Sequence, residues 1–196
     1  DKSEYAARTI RPKIHRVWDE YLVPLDETEP EISANDLDLM GNFDVSDPAA
    51  VLAALDLDRS IAPVKRFKGG ETEAWRLLDT FAAAVLDGYD DGRNEPAAAQ
   101  TSFLSPYLHF GHISPVDMAL AARNADSGSS DDRGSFIEEL VVRRELAMNY
   151  VAFEPKFDSY DALPGWARKT LSEHEGDARE HVYSIEQLEA CDTHDP

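Results

Sequence analysis

The sequence is poor in cysteine, in positive charge and in long apolar runs. Cys191 is the only cysteine, which excludes an intrachain disulfide framework. No apolar stretch is long enough to span a bilayer, and the first residues lack the apolar centre of a signal peptide. A cytoplasmic location is therefore expected. Strand patterns alternating with helices are missing, which speaks against a parallel α/β domain. Neither repeats nor low-complexity tracts occur. Basic residues are few: 19 Lys and Arg stand against 39 Asp and Glu, for a net charge of −20. Of the 19, 13 are arginine.

The acids are spread through segments with apolar periodicity rather than gathered in a tail, which argues against a disordered acidic chain. Self-repulsion of this size loosens a compact fold unless salt screens it, and at 1 M the screening length is about 3 Å. The expectation is a protein from a salt-accumulating organism. Net acidity does not exclude nucleic acid, because a local basic patch is enough for phosphate contact. A chain of 196 residues suffices for one domain or one and a half.

What is present is helical patterning. Residues 5–23 space Ile10, Ile14, Val17, Trp18 and Tyr21 as one helix face, with Pro12 expected to mark the start of the main helix. Residues 24–34 and 36–47 are acidic and read as irregular. Asp47 and Pro48 read as N-cap and first helical residue of a short helix to Leu57. VKRFKGG at 64–70 is a basic cluster that reads as a solvated loop. Residues 71–90 form the first strong helix, broken at Gly88, Gly92 and Pro96. A helix is expected near 106–112, and another from Ser114–Pro115. A loop over 126–134 follows. The next helix, SFIEELVVRRELAMNYVAF, offers Ser135 and Glu138 as a capping box, and places Glu139 and Arg143 at i, i+4 where they can pair.

The stretch Gln100–Pro115, QTSFLSPYLHFGHISP, carries the densest chemistry. Thr101, Ser102 and Ser105 cluster three hydroxyls, and Ser105 before Pro106 reads as a helix N-cap. Hydroxyls beside a helix start suit an anionic group such as a phosphate, although an ordinary capped helix gives the same pattern. His109 and His112 stand i, i+3, with no cysteine or third close ligand. No metal site is expected, and the two histidines are expected to pack or cap.

Taken together, ARTIRPKI at 7–14, YDDGRNEP at 89–96, LSPYLHFGHISP at 104–115, FIEELVVRREL at 136–146, and WARKTL, YSIEQLEA and THDP through 166–196 resemble the class II cyclobutane pyrimidine dimer photolyases. The resemblance, with the acidity, points to a haloarchaeal source. It implies an all-α fold: the N-terminal part of the helical FAD-binding domain of the photolyase/cryptochrome fold, without the α/β antenna domain. Residues 1–64 would be the last helix of that missing domain plus a connector, and 65–196 the first half of the FAD domain. The family's LWNAxQ-type segment and its electron-relay tryptophans would lie beyond THDP, so Trp18, Trp75 and Trp166 are expected to serve packing.

The resemblance also assigns roles. Tyr89, Thr101, Ser102, Phe103, Leu104, Ser105, Phe136 and Arg143 would contact FAD. Glu139 would be the catalytic residue, hydrogen-bonded to the flipped dimer. Arg93, Glu139, Arg143 and Arg144 would meet damaged DNA. The implied function is light-driven splitting of the dimer by electron transfer from reduced FAD, by a carbon–carbon lyase acting as a monomer. A cryptochrome-type photoreceptor, or a truncated remnant inactive and without bound FAD, remain alternatives. The hydroxyl-rich turn and the Glu–Arg helix are expected to face each other across one hollow.

Overall fold

The computed structural model describes residues 3–25 and 46–194, together with 28, 29, 31–33, 37, 41 and 44. The irregular stretches expected over 24–34 and 36–47 lie partly outside the described residues. Every regular element among the described residues is helical. The chain is all-α, as expected. It divides into two units: Glu4–Ala147, and Met148–Pro196 with Asp1–Ser3.

In the first unit, α1 spans Ala7–Tyr21 with Pro12 inside it, so Pro12 does not open the helix. Proline removes one amide donor, leaving the Arg8 carbonyl without its helical bond, yet its fixed φ suits a helix. The early turns are held from outside: Arg11 makes a two-pronged ion pair to Glu138, Nη2–Oε1 at 2.6 Å and Nε–Oε2 at 3.0 Å. Helix α2, Pro48–Ala54, starts as read, with the Asp47 carboxylate accepting from the Ala50 amide, and stops at Leu55.

Helix α3, Glu71–Thr80, follows the predicted spacing and buries Ala74 and Leu78. It runs into a π-turn at Phe81–Val85, where the Leu86 amide bonds the Phe81 carbonyl five residues back. Gly88 then takes a left-handed φ of 81°, which glycine adopts without strain, and ends the run. A separate short helix, α4, covers Tyr89–Gly92.

Helix α5 spans Ser105–His109 and α6 spans Pro115–Asn124. Ser114 caps α6 as expected, accepting from the Val116 amide. Ser105 does not cap α5. It is the first helical residue, Leu104 holds the cap position, and no side chain caps the turn. The helix also stops at His109, short of residue 112.

Helix α7, Ser130–Ile137, starts earlier than the sequence suggested. Ser129 and Asp132 form the capping box, and Ser135 lies inside the helix. A second π-turn, Glu138–Arg143, joins α7 to α8, Arg144–Phe153.

The core of this unit is one cluster in which Leu78, Phe81, Leu86, Leu104, Tyr107, Met118, Ala122 and Phe136 are buried. A satellite of Ala7, Ile10 and Val142 fixes α1 to the second π-turn.

The second unit holds the end of α8, α9 over Gly165–Glu173 and α10 over Ile185–Glu189. Ser184 and Gln187 form a capping box at α10. None of its described residues is buried.

Candidate functional site

Of the residues singled out from the sequence, Tyr89 lies on α4, Arg93 caps its end, and Phe136 and Glu139 contact those two. The first free amide of α4, that of Asp90, donates to the Asp132 carboxylate at 2.9 Å. The same carboxylate accepts from the Ser129 amide and hydroxyl, each at 2.8 Å. These donors, with the Asp90 and Ser129 amides foremost, hold the Asp132 carboxyl well below the usual carboxylate range. Asp132 thus closes α7 and anchors α4 at once. The Ser135 hydroxyl donates to Asp90 from the next turn of α7.

One turn further on, Arg93 Nη1 donates to Glu139 Oε1 at 2.6 Å. The Glu139 carboxylate holds the guanidinium in its charged form, raising its pKa. Arg93 Nε is buried without a hydrogen-bond partner among the described residues, its nearest carboxylate oxygen being Asp90 Oδ1 at 3.9 Å. Such an orphaned donor is costly unless another acceptor reaches it.

Glu138 and Glu139 are neighbours in sequence and serve different helices. Successive helical residues point about 100° apart, so Glu139 meets α4 while Glu138 meets Arg11 on α1. Arg11 holds the Glu138 carboxyl below its ordinary value. The expected i, i+4 pair between Glu139 and Arg143 is not the one formed. Arg143 Nε lies 3.6 Å from Glu138, its i−5 neighbour, a separation that matches the π-turn rather than an α-helix.

Gln100, just ahead of the hydroxyl-rich loop, packs on Gly92 of α4. The Gln100 side-chain amide donates to the Asp87 carbonyl at 2.7 Å and to the Val85 carbonyl, satisfying acceptors left open at the end of the first π-turn. The approach is close: a Cβ at Gly92 would fall 2.7 Å from Gln100 Cβ. Thr101 and Ser102 are half-buried and Ser105 is exposed. Ser102 Oγ accepts from the Leu104 amide at 3.3 Å. Phe103 has a left-handed φ of 55°, a strained conformation for an aromatic residue. Arg66, from the basic run, sits 5.0 Å over its ring. The Leu104 side chain is fully buried and turned into the core.

Tyr89 and Phe136 pack against Phe81 and each other, with ring centroids 5.7, 4.6 and 5.5 Å apart. Both are buried. Burial pushes the Tyr89 phenol above its ordinary value, against the pull of Arg93. The hydroxyls of Thr101, Ser102 and Ser105 form a polar set of the kind that fits an anionic group such as a pyrophosphate. His112 caps as expected, its Nδ1 accepting from the Gly70 amide at 3.3 Å.

Hollows open on this unit among the described residues. One of about 350 Å³ is walled by Ile14, Trp18, Tyr21, Leu140, Val141 and Arg144. A second lies beside Trp75 and His112, and a third beside Asp79 and Ser127. None has both the 101–105 loop and Glu139 in its wall, so the shared hollow expected from the sequence is not among them. Gln100 meets Gly92, and Glu139 meets the adjacent Arg93.

Sequence reasoning missed Asp132, Gln100 and the Arg11–Glu138 pair. For Asp132 a signal was present: SSDD at 129–132 is itself a serine followed three residues on by an acid. Gln100 and Arg11 carry no local signal, because their partners are remote in sequence.

No family model matches the chain. Individual proteins do. It is 39% identical over 198 residues to the deoxyribodipyrimidine photo-lyase of Methanothermobacter thermautotrophicus, covering all of this chain and 42% of that protein. To the deoxyribodipyrimidine photo-lyase of Oryza sativa it is 40% identical over 200 residues, again all of this chain and 39% of the relative. To that of the marsupial Potorous tridactylus it is 36% identical over 196 residues, covering 36% of the relative. The chain spans about two fifths of the length of these relatives. Among the described residues, no helix is long and apolar enough to cross a membrane.

Proposed function

The chain is homologous over its full length to deoxyribodipyrimidine photolyases, and on that premise we propose that it supplies part of the flavin site and part of the lesion site of such an enzyme. The class is the second, the lesion is a cyclobutane pyrimidine dimer, and the source is haloarchaeal, a setting in which a charge of −20 is screened. Residues 65–196 contribute the first half of a helical FAD-binding domain, and 1–64 the approach to it. The chemistry that reduced FAD supplies when bound is a light-driven one-electron transfer to the dimer, reversed once the ring has split.

The chain's own residues bind and orient. Hydroxyls of Thr101, Ser102 and Ser105 and the amide of Phe103 hold the pyrophosphate. Arg143 balances its charge. The edges of Tyr89 and Phe136 form part of the cofactor wall. Glu139 hydrogen-bonds the pyrimidine pair, which is extruded at low cost because damage has weakened its pairing and stacking. Arg144 and Arg93 face the DNA backbone.

The observation that carries this reading is the Arg93–Glu139 pair at 2.6 Å, with Arg93 Nε left for an incoming acceptor. A carboxylate fixed by a guanidinium beside an unfilled donor is a site prepared for a polar ligand.

The test uses a photolyase-length protein carrying this sequence, loaded with reduced flavin. Light should split a cyclobutane dimer in an oligonucleotide, and Glu139→Ala should lower the yield on the order of tenfold while flavin stays bound. Flavin binding with no light-dependent splitting would favour the photoreceptor reading. Loss of flavin from Glu139→Ala would overturn the role given to Glu139.

A further inference from the structure

The loop that carries Thr101, Ser102 and Ser105 includes a strained aromatic residue, and a second one, Ala99, stands just ahead of it. Ala99 has φ 51° and Phe103 φ 55°, both in the left-handed region. Such a conformation in a non-glycine residue persists only where the surroundings enforce it. Beside Ala99, the Gln100 side chain is bonded to the carbonyls of Val85 and Asp87. At Phe103 the ring is what is held: the Arg66 guanidinium lies 5.0 Å over it. The same guanidinium lies 5.5 Å from the Phe67 ring, so it engages two aromatic faces.

Arg66 is itself placed by its neighbours. The basic run is exposed over Val64–Arg66, yet it is anchored directly afterwards. The hydroxyl of buried Tyr107 donates to the Lys68 carbonyl at 2.7 Å. Phe67 meets the Tyr107 ring edge-on at 6.5 Å, and the Gly70 amide donates to His112. The stretch that reads as a solvated loop therefore presents Arg66 from a fixed base.

On the far side of Phe103, Leu104 is fully buried in the core. A return of Phe103 to an ordinary negative φ is a rotation on the order of 100° about its N–Cα bond. With Leu104 fixed, that rotation turns the upstream side, the Phe103 amide and Ser102. Ser102 Oγ accepts from the Leu104 amide at 3.3 Å, which leaves its O–H free to donate.

We propose that Arg66 is a positioning residue for this loop: by clamping the Phe103 ring it keeps Phe103 left-handed, and so aims the Phe103 amide and the Ser102 hydroxyl at the bound anion. The identity of that anion, a flavin pyrophosphate, rests on the photolyase reading. A cation over an aromatic face and the penalty of a left-handed non-glycine residue are of the same order, so removing the first should release the second. Arg66 acts through Phe103 and not on the phosphates.

Two measurements test the clamp. The first uses the 196-residue chain labelled with carbon-13 phenylalanine. The Phe103 α- and β-carbon shifts should report the left-handed backbone. Arg66→Ala should abolish that signature and Arg66→Lys should retain part of it. A left-handed signature that survives Arg66→Ala, or that the parent chain lacks, would overturn the proposal.

The second uses the photolyase-length protein carrying this sequence. Binding of FAD is compared with that of riboflavin, which has no phosphate, by flavin fluorescence. Arg66→Ala should weaken FAD about three- to fivefold and leave riboflavin unchanged. Phe103→Gly needs no clamp, because glycine adopts this φ freely. In that background Arg66→Ala should change FAD affinity no further. Equal loss in both backgrounds would mean that Arg66 acts on the anion by charge, and would overturn the proposal. Equal weakening of riboflavin, or no weakening of FAD, would do the same. A parent protein that binds no flavin, while its Phe103 signature still answers to Arg66, would overturn the flavin reading and not the clamp.

Discussion

Residues 4–147 and residues 148–194 are built from the same secondary structure and differ in what that structure encloses. In the first, helices are broken twice by π-turns and once by Gly88, yet Leu78, Phe81, Leu86 and Leu104 are sealed inside. In the second, α9 and α10 are regular, and α10 has a complete capping box, but nothing is enclosed. Local regularity therefore does not measure stability here. The irregular unit has a core and can hold a site in place, whereas none of the described residues of the regular one is buried.

The largest expected effect comes from the core. Leu78→Ala should destabilise 4–147 by about 2–5 kcal/mol in denaturant unfolding, because the side chain is fully buried. The matching change Leu171→Ala should move stability by less than about 0.5 kcal/mol, because that side chain is half exposed. Equal losses would erase the contrast between the units.

Gly92→Ala should cost about 1–3 kcal/mol, since its Cβ would collide with Gln100 Cβ and push the 101–105 loop off α4. A variant as stable as the parent would mean that the loop is not seated there.

Acid should act on the first unit through Asp132. Its folded pKa is depressed, so its stabilising contribution is complete above the unfolded value near 3.8 and is lost as pH falls toward the folded one. Asp132→Asn should flatten the fall in stability below about pH 4. An unchanged acid limb would contradict the anchoring role.

The smallest effect is the Arg93–Glu139 coupling. Both groups are partly exposed, so a double-mutant cycle should return about 1 kcal/mol or less. Zero coupling would remove the pair from the account of the site.

Legibility followed the range of the interaction. Asp47–Pro48 and Ser114–Pro115 were readable because cap and proline act within three residues. Serine caps were misread where two patterns overlapped. Ser129–Asp132 prevails over Ser135–Glu138 because Asp132 also receives the Asp90 amide, 42 residues away. Local spacing makes Pro12 look like a helix start, because Arg11's pairing with Glu138 spans 127 residues and leaves no local trace. The π-turn at Glu138–Arg143 cannot be seen in apolar spacing. It shifts Arg143 to Glu138 and leaves Glu139 to Arg93. The family resemblance names residues on α4 and the second π-turn, and it does not give the Arg93–Glu139 and Arg143–Glu138 pairing between and within them.

Limited proteolysis of the chain tests the central contrast most directly. Among the described residues, the account predicts that early cuts fall within the Met148–His194 unit and spare Glu71–Ala147. Early cleavage within Glu71–Ala147, or resistance extending through α9 and α10 in the monomer, would contradict it.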